Sequence, residues 1–296
     1  MNAHKVAKSR ARRGVPQPTS LTRPGRKERR ALLLTVWAGF LTTAQIAEAA
    51  GYSSLRRAQR RLRTLLDRGH LRVELQSCAL HLPSLHVPTR RAIETLIEDG
   101  ELPAGYRPPR LPRAQKRPHA LLIRTVFIAF AAAETRGALR LTDFRFDSHL
   151  TREEPFHGIG LIPDAIATLA LPDGSYATIA VEADAGTETT TTLRKKFAKW
   201  RAILDMWQPP RFTLLVVAER EGRRRTLARL MTEARIGDVG LAVVAAEVRG
   251  FVASLAEPHG PAARSDRAER RTRVLEPREV AGDRHVVGAA FRVIVR

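Results

Sequence analysis

Hydrophobic positions between residues 26 and 68 recur at helical spacing and fall into three short segments. They predict helices at about residues 26–38, 43–50 and 53–68. In the last of these the apolar residues form one stripe, which consists of Leu55, Ala58, Leu62, Leu65 and Leu66. Thr42 or Thr43 can cap the second predicted helix, and Ser53 can cap the third. Two short apolar runs follow and predict strands near residues 71–74 and 80–85.

After residue 118 the pattern changes to strands alternating with helices. The predicted order is a helix at 119–134, a strand at 139–146, two strands between 161 and 184, a helix at 187–206, a strand at 212–218, a helix at 223–234 and a strand at 241–246. This order indicates a mixed α/β sheet flanked by helices. Residues 103–118 are rich in Pro and basic side chains and are expected to link two domains. Residues 1–25 are expected to be a flexible basic arm, and residues 257–296 a loosely ordered tail.

The elements of residues 26–102 resemble a winged helix-turn-helix domain, with a support helix, a tight turn, a longer helix and a strand pair. Such a domain places the N-terminal residues of its recognition helix against base edges in the major groove of DNA. The expected DNA-contacting residues are Ser53, Ser54, Arg56, Arg57, Arg60 and Arg63. Two alternatives stay open, because an arginine-rich helix face is often only solvated and many winged helices bind proteins.

Charge is concentrated in the same half of the chain. Residues 1–120 carry 24 Lys and Arg against 8 Asp and Glu, whereas residues 121–296 carry 27 against 22. This clustering predicts double-stranded DNA as the partner, because each neutralised phosphate releases condensed counterions. A GC-rich genome would also explain part of the excess of 44 Arg over 7 Lys. One cysteine, no signal-peptide pattern and no apolar run long enough to span a bilayer lead us to expect a cytoplasmic protein.

Carboxylates interrupt two strands that otherwise look buried. Asp164 lies in the first strand, Glu182 and Asp184 lie in the second, and Pro172-Asp173-Gly174 forms the turn between them. A three-residue loop brings Asp164 opposite Glu182, whereas a two-residue loop turns Asp164 to the other face. The apolar faces of the two strands match only in the three-residue register, which we therefore predict.

Acids gathered on a half-buried sheet face raise one another's pKa unless a positive group lies between them. Mg²⁺ is one such group, since it prefers oxygen ligands, and Asp164, Glu182 and Asp184 could hold it and activate water against a phosphodiester. Basic side chains could neutralise the acids instead, without any metal. The following helix contains Lys195, Lys196 and Lys199, of which Lys196 lies nearest to the buried stripe.

The arrangement of these acids resembles the PD-(D/E)XK nuclease fold, with its α-β-β-β-α-β order. Pro163-Asp164 matches the PD element, and Glu182-Ala183-Asp184 occupies the (D/E)XK position, with Asp184 in place of the lysine. Some members of that superfamily carry the lysine on the following helix, so the resemblance implies Asp164, Glu182 and Lys196 as catalytic residues of a nuclease-like domain at 119–256.

A longer resemblance covers residues 41–255, which are similar to the replication-relaxation family of bacterial plasmids and mobile elements. It is carried by a winged helix, a linker and then PDA…VEADAGTE…LRKKFAKW. The resemblance implies DNA binding linked to plasmid replication or DNA relaxation, with replication or mobilisation proteins as partners.

Two functions are compatible with the sequence. One is metal-dependent cleavage or nicking of DNA, and the other is non-catalytic regulation of replication or transcription by a DNA-binding protein with a degenerate nuclease fold. The sequence does not indicate a nucleotide or organic cofactor, because GIG at 158–160 precedes a strand and not a helix. His149 and His157 are expected to be loop residues, since the histidines lack metal-ligand spacing.

Overall fold

A computed structural model describes residues 24–75, 83–151, 153–207, 209 and 211–257. The predicted arm at 1–25 and tail at 257–296 lie almost entirely outside these residues. The described part of the chain forms a mixed α/β fold, as predicted. In this part of the chain no helix is both long and apolar enough to cross a membrane.

The N-terminal half of the described chain contains four helices around a small antiparallel sheet. Its elements are α1 (Arg26–Ala38), β1 (Leu41–Thr42), α2 (Thr43–Ala49), α3 (Leu55–Asp67), β2 (Leu71–Glu74), β3 (Leu85–Pro88) and α4 (Arg90–Glu98). The strand order is β1-β3-β2. The first three helices lie where the hydrophobic spacing predicts them, whereas β1 and α4 were not predicted.

Two predicted details meet a different outcome in this half. The described strand β3 begins at Leu85, the last residue of the strand predicted near 80–85, whereas residues 80–82 of that prediction lie outside the described residues. Leu55 is 48% exposed although it continues the apolar stripe. It is the first residue of α3, one turn beyond buried Ala58, so the helix extends past the core at this end.

The cap of α3 also differs from the prediction. Ser54, and not Ser53, precedes the first helical residue, and its Oγ accepts a hydrogen bond from the backbone N–H of Arg57 at 3.3 Å. The Oγ of Ser53 instead accepts a hydrogen bond from the guanidinium of Arg57 at 3.0 Å. Thr42 caps α2, as expected, and the backbone N–H of Thr42 donates to the side-chain Oε1 of Gln45.

The second half contains a five-stranded sheet with helices on both faces. Its elements are α5 (Arg117–Thr135), β4 (Arg140–Phe146), α6 (Asp147–Leu150), α7 (Phe156–Ile159), β5 (Ala165–Ala170), β6 (Tyr176–Asp184), α8 (Thr190–Met206), β7 (Phe212–Ala218), α9 (Glu221–Glu233), β8 (Gly240–Val244) and α10 (Val248–Ala256). The strand order is β4-β5-β6-β7-β8, antiparallel from β4 to β6 and parallel from β6 to β8. Helices α5 and α10 cover one face, and α8 and α9 cover the other.

The β5–β6 hairpin has the register that the apolar faces predict. Ala165 pairs with Val181 and Ala170 with Tyr176, and the N–H of Leu171 donates to the carbonyl of Ser175 at 2.8 Å. The loop is therefore the three-residue one. Asp164 immediately precedes β5, so the same register carries it across from Glu182.

The two halves share one hydrophobic core. The largest buried cluster contains Leu32 of α1 and Ile46 of α2 together with Phe127 of α5 and Ile179 of β6. Two hydrogen bonds reinforce the contact. Arg30 donates to the carbonyl of Ala131, and the hydroxyl of Thr135 donates to the carbonyl of Ala49. The segment predicted as a linker thus joins halves that are packed together.

Arg124 of α5 lies inside this junction. Its guanidinium donates to the carbonyl of Ala38 at 3.1 and 2.9 Å and lies 4.4 and 4.5 Å from the ring centroids of Phe40 and Phe146. Burial lowers the pKa of Arg124 to about 10, so the side chain remains charged at neutral pH. The charge is stabilised by a carbonyl at the end of α1 and by two aromatic faces.

Candidate functional site

Three acids come together where β5 begins and β6 ends. Asp164 precedes β5, while Glu182 and Asp184 lie within the last three residues of β6 and are 2% and 4% exposed. Residues two apart on a strand face the same side of the sheet. All three acids therefore lie at the same end of these two strands, beside side chains of α5, α8 and α9.

Asp164 is paired with a histidine that the sequence gave no reason to select. The Nε2 atom of His119, near the start of α5, lies 3.1 Å from Oδ1 of Asp164, and Oδ2 accepts from the backbone N–H of Ala183 at 2.8 Å. Burial alone would raise the pKa of Asp164, but the hydrogen bond and charge of His119 lower it overall. Burial likewise opposes protonation of His119, yet Asp164 raises its pKa. The two side chains form a partly buried hydrogen-bonded pair, which is an ion pair when His119 is protonated.

Glu182 receives both of its partners from one face of α8. Its Oε1 accepts from the indole N–H of Trp200 at 2.8 Å, and its Oε2 lies 2.6 Å from Nζ of Lys196. Lys196 and Trp200 are one helical turn apart, so the same face of the helix presents both groups. Lys196 therefore contacts the acid cluster, and it also lies 3.5 Å from Glu188. Its catalytic role stays a prediction.

The pKa values of the two neighbouring carboxyl groups, Glu182 and Asp164, shift in opposite directions. Burial, together with the negative charge of Asp164, raises the pKa of Glu182 to about 7, although Lys196 acts against this. Burial would lower the pKa of Lys196, but attraction to Glu182 and Asp164 raises it. Near neutral pH the cluster therefore holds an ionised Asp164, a protonated Lys196 and a Glu182 that exchanges its proton.

Asp184 has a separate cation. Its Oδ1 accepts from the N–H of Gly186 at 2.7 Å, and its Oδ2 accepts from Nε of Arg223 on α9 at 2.5 Å. The same guanidinium donates to the carbonyl of Glu188 at 2.5 Å. Arg223 was not predicted, because it begins a run of three arginines in which nothing but the tertiary structure distinguishes the residue facing β6.

As they are arranged, these acids do not fit a magnesium ion. Each of their six oxygens has a donor or cation of the chain within 3.1 Å, and two of those groups are the ammonium of Lys196 and the guanidinium of Arg223. A divalent cation among them would meet two positive charges. Among these six oxygens only Oε2 of Glu182 lacks a hydrogen bond, and it lies against the ammonium of Lys196. Consistently, the described residues contain no group of three His, Cys, Asp or Glu side chains arranged to hold a metal ion.

The predicted DNA-contacting residues all lie on the exposed part of α3 and the turn before it. Ser53, Ser54, Arg56, Arg57, Arg60 and Arg63 are each exposed. Arg57 is engaged by Ser53, and Arg63 pairs with Asp67 at 3.1 Å. By contrast, no ion pair to Arg56 or Arg60 occurs within the described part of the chain. Leu55 is exposed beside them, although the sequence pattern placed it on the apolar stripe.

Comparison with known families gives one match. The family model described as Replication-relaxation matches residues 37–216. The matched range runs from the end of α1 into β7 and contains α3, Asp164, Glu182 and Lys196, whereas Arg223 lies beyond it. Comparisons with curated proteins and with solved structures gave no match.

Proposed function

Since the chain belongs to the replication-relaxation family, we propose that it binds double-stranded DNA of a plasmid or mobile element and acts in replication or relaxation of that DNA without cleaving it. DNA binding is assigned to a winged helix-turn-helix formed by residues 26–102. The acid cluster is assigned a structural role within a degenerate nuclease fold.

One observation carries the DNA-binding part: Arg56 and Arg60 are exposed at the N-terminal end of α3 and have no ion pair within the described part of the chain. The helices α1 to α3 and the antiparallel sheet β1-β3-β2 supply the element order of a winged helix. In that domain class the N-terminal end of the third helix enters the major groove. Two uncommitted guanidiniums there can contact phosphates or the O6 and N7 atoms of guanine.

The test is duplex binding by the double variant Arg56→Gln, Arg60→Gln, measured by fluorescence anisotropy. We expect affinity for plasmid-origin DNA to fall at least about tenfold, because each lost base or phosphate contact costs roughly 1 kcal/mol or more. Arg136→Gln, Arg140→Gln is the matched double control, since both residues are exposed and have no ion pair within the described part of the chain. Unchanged affinity of the double variant would refute the assignment of α3.

The structural role of the acids is supported by the six occupied carboxylate oxygens. Lys196 and Arg223 supply the positive charge that a metal ion would supply beside the acids of a nuclease. The test is a nicking assay on supercoiled plasmid with Mg²⁺ or Mn²⁺. We expect the protein to retard the plasmid on a gel and to leave it supercoiled.

A second function, DNA nicking, is favoured by the grouping of Asp164, Glu182 and Lys196. These are the three residue types that the nuclease resemblance requires, and their side chains interact. Nicking by the wild-type protein that disappears in Asp164→Ala and in Glu182→Ala, with DNA binding retained, would establish this function and overturn the non-catalytic one.

A further inference from the structure

The segment between α4 and α5 carries four cations at a regular interval. Within residues 106–116, called here the basic strap, Arg107, Arg110, Arg113 and Lys116 follow one another every third position. All four are exposed. No acidic residue occurs in the strap, and no ion pair to these four side chains occurs among the residues that the structure describes. The next residue differs, because Arg117 pairs with Glu74 of β2 at 3.1 Å.

The strap is held against the protein by its apolar residues. Tyr106 packs against the main core, and Leu111 packs against the cluster that contains Phe40, Leu85 and Val87. Buried Pro109 lies so close to Gly39 that a β-carbon at Gly39 would be 2.1 Å from the Pro109 carbonyl oxygen. Gly39 also has a φ of 76°, which favours glycine. The apolar side chains thus face the protein and leave the cations outward.

The backbone of the strap explains the interval. Pro108, Pro109 and Pro112 each fix φ near the polyproline II value, and Arg113 has φ −57° and ψ 152°. Residues 114–116 then form one turn of 3₁₀ helix. A polyproline II helix and a 3₁₀ helix both have three residues per turn, so in either one every third side chain returns to the same side. The cations therefore form a ridge and not a scattered surface.

We propose that the basic strap is a second DNA-contacting surface, which binds the phosphate backbone without reading base sequence. The proposal rests on the DNA binding proposed above. A line of uncommitted, pre-positioned cations is complementary to a line of phosphates, which carry one charge per roughly 3.4 Å of axis along each strand. The strap offers little apolar surface for a protein partner, because its larger apolar side chains face inward. Its Leu111 packs against the cluster that contains Leu85 and Val87 of β3, so the strap lies beside the sheet that follows α3.

The experiment measures the salt dependence of binding to a random-sequence duplex. The variant Arg110→Gln, Arg113→Gln removes two cations from the middle of the ridge. We expect the plot of log affinity against log salt to become less steep by about 2, one unit for each lost phosphate contact. The charge-conserving variant Arg110→Lys, Arg113→Lys should keep the wild-type slope.

The matched control is Arg136→Gln, Arg140→Gln. Both residues are exposed and have no ion pair within the described part of the chain. They follow the C-terminal end of α5, a 19-residue helix about 28 Å long that begins where the strap ends. This control should keep the wild-type slope. Thermal unfolding of each variant verifies that the fold is intact.

Three outcomes separate this inference from the proposed function. A slope reduced in the strap variant alone supports the strap. A wild-type slope in the strap variant, with affinity lost in Arg56→Gln, Arg60→Gln, overturns the strap and leaves the proposed function standing. Failure of the wild-type protein to bind any duplex overturns both.

Discussion

At the scale of single residues, Glu182 is a group whose charge state depends strongly on its surroundings. Burial beside Asp164 raises its pKa to about 7, from an ordinary value of 4.5. Because the folded pKa exceeds the unfolded one, the folded state binds the proton more tightly between these two values. The contribution of Glu182 to stability is therefore present below pH 4.5 and is lost as pH rises toward 7.

This pH dependence can be isolated with Glu182→Gln, which cannot titrate. Between pH 4.5 and 7 the unfolding free energy of the wild type should fall relative to that of the variant, by up to about 3 kcal/mol. Urea denaturation at several pH values measures the difference. The control Glu94→Gln removes an exposed carboxylate on α4 and should follow the wild type. A constant difference between the wild type and Glu182→Gln would show that Glu182 has an ordinary pKa.

The sequence predicted some residues of this cluster, and the residues that it did not predict were missed for one common reason. Asp164 and Glu182 were placed opposite each other because strand alternation and turn length are local properties. Lys196 followed from helical periodicity. His119 and Arg223 could not be predicted, because they belong to helices that reach the site only through tertiary packing. Without these two residues, a metal ion and basic side chains remained alternative ways of neutralising the acids.

At the scale of elements, α3 shows how one residue of offset changes a prediction. Ser53 and Ser54 are both good capping residues, and the structure assigns the cap to Ser54. Ser54→Ala should lower the unfolding free energy by about 1 kcal/mol, because an N–H at the first turn loses its acceptor. Ser53→Ala is the control and should change stability little, since Ser53 contacts only the exposed Arg57 side chain. Equal effects of the two substitutions, measured by urea denaturation, would contradict the assigned cap.

The segment between α4 and α5 shows a different limit of prediction at this scale. Proline and basic residues correctly excluded a helix or strand from most of residues 103–118, but composition alone could not distinguish a free linker from a fixed one. The difference depends on Tyr106, Pro109 and Leu111, whose apolar contacts lie on other elements. Irregular backbone can be as firmly packed as a helix when apolar side chains recur along it.

At the scale of the whole molecule, the shared core predicts that both halves unfold together. Helix α5 packs on α2 as well as on the sheet, and buried Arg124 donates to the end of α1. Neither half can lose its structure without exposing apolar surface of the other. Trp37 belongs to the first half, whereas Trp200 and Trp207 belong to the second, so Trp37→Phe leaves fluorescence that reports the second half alone.

Urea unfolding of Trp37→Phe, followed by this fluorescence and by far-UV circular dichroism, should therefore give coincident midpoints. Adding Arg124→Leu leaves the Ala38 carbonyl without its donor and should lower the unfolding free energy by about 2 kcal/mol. Both urea midpoints should therefore fall together. Adding Arg136→Leu, an exposed substitution at the end of the same helix, should leave both midpoints nearly unchanged. Separate transitions would mean that the halves fold independently, in which case DNA contacts on α3 could not be coupled to the acid cluster through a common core.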